Sequence, residues 1–267
     1  MNKPLGGKAY GHIPHLPGSR IGPGDHRCHP GQARICTEKP RDKHDVIIVQ
    51  EKIDGSCVSV ALLNDEILAL TRAGYPAISS KYRMHYLFDK WVKKNEERFC
   101  TILFEGERVI GEWLVHAHGT RYNLQHEPFV AFDIMTGTER MVHEDFFKRV
   151  ARAGIIAPLT LFKGYGASSP IERVKTVIQR SGHGAIDPVE GAVWRVERKG
   201  KVDFLAKWVR PDKVDGLYLE NEQEVRNEWP GKRVCPACEG HGKMFYDGNV
   251  DIEIRECSTC FGMGIQV

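Results

Sequence analysis

The strongest constraint on the fold of this chain is a train of short apolar runs, each ended by a turn signal. Val46-Ile47-Ile48-Val49 is a β-branched run. Cys57-Val58-Ser59-Val60-Ala61-Leu62-Leu63 alternates, reaches Asn64-Asp65, and is followed by Ile67-Leu68-Ala69-Leu70. Such residues suit a half-buried pleated surface, and Asn-Asp suits a tight turn, so the pattern predicts an antiparallel meander. Further strands are expected at 108–114 and 128–134, and a pair at 191–197 and 202–209 closed by Lys199-Gly200. A helix is expected over 82–99, where Met84, Leu87, Phe88, Trp91 and Val92 share one face and Lys93, Lys94, Glu96 and Glu97 lie opposite. Others are expected near 143–153 and 169–181, with a polar closing helix over 212–228. Residues 1–44, rich in Gly, Pro and His, read as irregular strand and loop laid over the domain. The expected fold class is α+β, built on antiparallel sheet.

With 267 residues, the chain can form one large domain and a small appendage. We place the boundary between 1–228 and 229–267, at Trp229-Pro230-Gly231. No apolar run approaches the length of a membrane span, and the N-terminus lacks the apolar core of a signal peptide, so a cytoplasmic protein is expected. The formal charge of +3 is too small to argue for nucleic acid by itself. It is concentrated in residues 1–45, which carry eight Lys and Arg against four Asp and Glu. A basic leader of this kind suits phosphate contacts or an ordinary solvated surface.

The most informative stretch is Glu51-Lys52-Ile53-Asp54-Gly55-Ser56, between two expected strands. Alone it fits an edge-strand lysine before an ordinary turn. Further on come Thr71-Arg72-Ala73-Gly74, Ile110-Gly111-Glu112-Trp113, Phe129-Val130-Ala131-Phe132-Asp133-Ile134, Glu190-Gly191-Ala192-Val193-Trp194 and Leu205-Ala206-Lys207-Trp208. Together these resemble the ordered motifs of the covalent nucleotidyltransferases, the ATP-dependent ligases and capping enzymes. The closest likeness is to RNA ligases of the bacteriophage type, over roughly residues 46–210. Each motif is weak alone; six in order are specific.

The resemblance implies an ATP-grasp-like ligase domain that seals RNA ends, with DNA ends as the alternative, working as a monomer in a host cytoplasm. It implies that Lys52 takes AMP from ATP, that the AMP passes to a 5′-phosphate, and that a 3′-hydroxyl displaces it. A lysine suits this chemistry if its pKa falls, and Lys207 and Arg72 are the expected nearby cations. Charge growing on phosphate oxygens must be neutralised, and Mg²⁺ or Mn²⁺ binds through one or two carboxylates. Glu190 is the expected metal ligand, with Glu112 beside it or on the ribose. Asp54 is expected to orient the loop or meet the ribose, and Gly55 to allow close approach. Phe132 is expected either to stack on adenine or to sit in a core strand, and Glu51 to help read the adenine edge. His118, Arg121 and Tyr122 read as nucleic-acid contacts or as a plain polar loop. One departure stands out. The family places two lysines one residue apart in its last motif, but here Leu205 takes the first position and only Lys207 remains, with Arg210 or Lys213 as candidate substitutes.

Near the C-terminus, Cys235-x-x-Cys238 is echoed by Cys257-x-x-Cys260, each followed by Gly-x-Gly in the manner of the DnaJ-type zinc knuckles. Two such pairs predict a closed four-thiolate Zn²⁺ site, structural rather than catalytic, contacting RNA or protein or stapling the terminus. The competing functions are a DNA ligase or capping enzyme, for which the residues after Lys207 leave no room for an OB-fold, and a ligase fold kept for RNA binding or as an adaptor.

Overall fold

The computed structural model describes residues 2–179, 182–219, 225–234, 237, 243–247, 252–258 and 265–266. Between residues 45 and 209 the chain forms β1 (Asp45–Lys52), β2 (Ser56–Leu63), β3 (Glu66–Thr71), β4 (Glu107–Trp113), β5 (Phe129–Thr136), β6 (Glu139–Arg140), β7 (Thr160–Tyr165), β8 (Gly191–Arg198) and β9 (Lys201–Val209). They make two antiparallel sheets, one in the order β3-β2-β4-β5-β6 and one in the order β7-β1-β8-β9. The chain crosses from the second sheet to the first through Ile53-Asp54-Gly55. The expected nucleophile, the last residue of β1, therefore stands where the sheets meet.

The expected hairpins form. Asn64 and Asp65 turn with φ of 53° and 63°, and Lys199 and Gly200 with 50° and 76°. Positive φ at both central residues is what a right-twisted two-residue hairpin requires. The helices are α1 (Pro30–Thr37), α2 (Arg83–Lys94), α3 (Glu96–Cys100), α4 (His143–Arg152) and α5 (Ile171–Val177). On α2 the expected apolar face is buried, and Phe88 and Trp91 pack within 5.4 Å of Trp113 and Phe129 respectively. Each such side chain contributes about 1.5–3 kcal/mol by leaving water. The helix anchors the first sheet and fixes the segment that precedes it, residues 80–82.

Several expectations require correction. The helix over 82–99 is two helices, broken at Asn95, whose side-chain amide donates to the Trp91 carbonyl. Residues 1–44 are not wholly irregular: α1 forms behind a cap in which His29 accepts from Gly31 N–H while Gln32 accepts from His29 N–H. It buries Ala33 and Cys36 against Trp194 and Trp208. Residues 160–165, left without a strand by the sequence pattern, pair with β1 as an edge strand. Among the described residues of 212–228 there is no helix. That segment hydrogen-bonds across to the 115–123 loop instead, Tyr218 N–H to the His118 carbonyl and Asn227 N–H to that of Val115. Of the four expected zinc ligands only Cys257 is described, and it is buried; Cys235, Cys238 and Cys260 lie outside the described residues. Trp229 is buried in the same core cluster as Phe88 and Trp113. No helix among the described residues is long and apolar enough to cross a membrane.

Candidate active site

Strand register assembles the site. Lys52 pairs with Gly191 at the start of β8, which sets Glu190 beside it, Nζ to Oε2 2.5 Å. Lys207 in β9 faces Val193 in β8. In the other sheet, Cys57 in β2 pairs with Glu112 in β4, and Arg72, just past β3, donates its N–H to the Cys57 carbonyl. In β5 the pairing skips: Ile110 faces Asp133 and Gly111 faces Ala131, so Phe132 is the extra residue of a bulge. Bulges re-aim side chains, and this ring lines the cleft edge-on to Tyr10 at 5.1 Å.

These residues meet in one cleft between the sheets. Lys52, Arg72, Glu112, Phe132 and Lys207 line it, together with Leu205 and Arg195. The leader supplies Tyr10, Gly11 and Ile13 as a further wall, because Lys207 donates its N–H to Pro14 and accepts from Leu16. A second cavity shares Lys52, Arg72 and Glu112 with the first and adds Asp54, Ser56, Tyr82, His85, His118 and Glu190.

The charges do not fall as the sequence suggests. Burial alone pulls the Lys52 amine down, but Glu190, Glu112 and Asp54 outweigh it, and its pKa is raised above the ordinary value. The expectation of a lowered pKa rested on Lys207 and Arg72; three nearby carboxylates hold the ammonium instead. Burial raises Glu112 well above the carboxylate range and also raises Glu190. Burial, then repulsion from Lys52, lowers Lys207, whose Nζ lies 3.4 Å from Asp25. Glu112 Oε2 is buried and accepts no hydrogen bond among the described residues. An orphaned carboxylate oxygen in a cleft is costly unless a ligand meets it. Paired with Glu190 it fits a divalent cation that keeps most of its waters. No group of three or more His, Cys, Asp or Glu side chains suited to a metal occurs among the described residues.

Glu51 lines the first cavity and Asp54 and Gly55 the second, and each is also tied to the scaffold. Asp54 is buried; its Oδ2 accepts from Gly119 N–H at 2.8 Å and pairs with Lys213, and its own N–H donates to the Tyr122 hydroxyl. Burial raises its pKa, but Lys213 and then Lys52 more than offset this and leave it lowered. Gly55 is needed for closeness: a Cβ there would lie 2.6 Å from Leu114 Cδ2 and 3.0 Å from the Trp113 carbonyl. Glu51 donates its N–H to Leu159 and accepts from Gly182 N–H, tying two loops to the strand end. Arg121 pairs with Asp187 at 2.8 Å, whereas His118 does line the cleft.

Sequence reasoning missed three features. Arg195 and Asp133, paired at 3.0 Å, tie the two sheets together behind Phe132. Lys213 was read only as a stand-in cation. Ser56, His85 and Ser80 form a hydrogen-bonded row at 3.1 and 2.6 Å beside Lys52, and only the position of Ser56, directly after Asp54-Gly55, hinted at it.

A lysine, an arginine and two buried carboxylates thus line one cleft between antiparallel sheets. The chain belongs to the RNA ligase family, whose model matches residues 45–209. Solved structures similar to it include a Naegleria gruberi RNA ligase with PPi (16% identity, TM-score 0.44, 62% of this chain and 50% of that one). Others are a putative ATP-dependent DNA ligase from Aquifex aeolicus (16%, 0.44, 75% and 49%) and an archaeal ATP-dependent RNA ligase (16%, 0.40, 62% and 42%). The chain thus spans about half the length of these proteins. No curated protein matches it.

Proposed function

We propose that this chain is an ATP-dependent RNA ligase that joins 5′-phosphate and 3′-hydroxyl ends through a lysyl-AMP on Lys52. The observation that carries the reading is the end of β1, where Lys52 Nζ lies 2.5 Å from Glu190 in a cleft that also holds the orphaned Glu112 oxygen. Lys52 attacks the α-phosphorus of ATP; a nitrogen–phosphorus bond forms, and the bond to the departing pyrophosphate breaks. The amine must first lose a proton. The contact with Glu190 holds that proton until a cation competes for the carboxylate, and the proton then leaves to water. Lys207, partly stripped of water, and Arg72 face the phosphates, and Phe132 faces the base. Mg²⁺ or Mn²⁺, held by Glu190 and Glu112, would supply positive charge that both frees the amine from its carboxylates and neutralises phosphate oxygens.

Residues 229–267 are proposed as a zinc module with Cys235, Cys238, Cys257 and Cys260 as ligands, seated on the ligase domain through Trp229, Cys257 and Ile265, which are buried in the same core cluster as Trp113. A four-thiolate site has no open position, so it takes no part in the attack on ATP.

The test is incubation with a divalent metal and α-labelled ATP. The expected result is covalent label on the wild type and none on Lys52→Ala. Label that survives in Lys52→Ala would overturn the site, and label from GTP alone would indicate a capping-type enzyme.

A further inference from the structure

The second cavity runs outward from Lys52 to a rim formed by the residues just before α2. Tyr82 stands on that rim, 54% exposed, and also lines a neighbouring hollow with Lys81, Arg83, Tyr218 and Leu219. Its exposure is not looseness. The His85 ring meets it edge-on at 5.9 Å with an interplanar angle of 89°, and His85 is itself fixed by Ser56 and Ser80. The Ser80 hydroxyl also accepts the Tyr82 N–H at 3.2 Å. Lys81 Nζ lies 5.2 Å from the ring centre. A half-exposed aromatic ring, held in place with the Lys81 ammonium over it at the mouth of a phosphate-handling cleft, has the parts of a single-strand binding platform: an aromatic surface for any base and charge for the backbone.

We propose that Tyr82 stacks against a base of the single-stranded RNA end presented to Lys52, with Lys81 meeting its phosphates. The inference rests on the ligase reading and names where that substrate lies. Stacking on an aromatic side chain tolerates any base, so Tyr82 contributes affinity without sequence preference.

The test is equilibrium binding of a fluorescent 5′-phosphorylated single-stranded RNA to the full chain, read by anisotropy, with self-labelling by ATP measured in parallel. Tyr82→Ala is expected to weaken binding about tenfold, the usual scale for one lost stack, and Tyr82→Phe to restore it. Lys81→Ala should weaken binding and flatten its salt dependence. Tyr165→Ala serves as control, since Tyr165 is 69% exposed with Lys163 over its ring at 5.5 Å but lines neither cavity. Unchanged affinity in folded Tyr82→Ala, a Tyr82→Phe variant as weak as Tyr82→Ala, or no binding by the wild type overturns the platform. Failure of self-labelling counts against the ligase reading instead, because binding is read independently of it.

Discussion

Replacing Lys213 with methionine tests how the connection between β1 and β2 is held. Lys213 is 2% exposed and pairs with Asp54, a residue 159 positions earlier in the chain. Methionine keeps the apolar stem and removes the charge, so among the described residues Asp54 is left with the Gly119 N–H, the more distant Lys52 and the nearby His118. Removing one partner of a buried ion pair costs about 3–5 kcal/mol, because the survivor stays charged and dry. For a chain of this size that lowers the melting temperature on the order of 10 °C. The assay is urea unfolding of wild type, Lys213→Met, and Lys213→Met with Asp54→Asn. If an uncompensated carboxylate is the cause, the second substitution recovers part of the loss. The pH dependence follows from the same pair. Asp54 has a lowered pKa in the folded protein, so its stabilisation is present above the unfolded value near 3.9 and is lost as pH falls through the folded value. A loss below about 1 kcal/mol in Lys213→Met, or a double variant as unstable as the single one, would refute the reasoning.

Three further outcomes are expected. His85, His143 and His183 are each lowered to about 4 by burial first of all, so they stay neutral in the folded protein while the unfolded chain protonates near 6.5. Their contribution therefore falls as pH drops from about 6.5 toward 4, by up to about 1.4 kcal/mol per unit for each histidine, against an opposite gain from the raised Glu112 and Glu190; a His143→Gln variant whose denaturation midpoint drops between pH 7.5 and 5 as much as that of the wild type would contradict this. Gly191→Ala should unfold the β8–β9 edge or expel Glu190 from the cleft, since its Cβ would fall 2.0 Å from the Trp208 carbonyl, and should lose ATP self-labelling with a melting temperature several degrees lower. Truncation after Pro230, which keeps Trp229 in its buried place, should still form the lysyl-adenylate; a well-folded truncation that does not would make the C-terminal residues part of the nucleotide site.

What could be read ahead of the structure was local. Both positive-φ hairpins and the apolar stripe of α2 follow from neighbours in sequence, and Lys52, Glu112, Glu190 and Lys207 stand in motifs whose order is itself the signal. What escaped depends on distant partners or single-residue irregularities. Nothing near Phe132 announces a bulge. The 212–228 segment has the polarity of a surface helix, yet its backbone groups find partners on the loop after β4. The helix α1 was hidden by an uncommon cap, a histidine ahead of a proline. Around Lys52 the cations can be anticipated from the motifs, but no local pattern shows that Glu190, Glu112 and Asp54 all act on its ammonium.

The leader bears on how such a protein can be cut and joined. The family match begins at residue 45, but Tyr10, Gly11 and Ile13 close one side of the cleft, and residues 14–16 are stitched by two backbone hydrogen bonds to Lys207. A gene fragment trimmed to 45–209 would encode every motif lysine and acid yet leave the Phe132 side of the cleft open to water. Shuffling this catalytic core between relatives at the edges of the match would fail for the same reason. The workable unit of exchange includes the first sixteen residues.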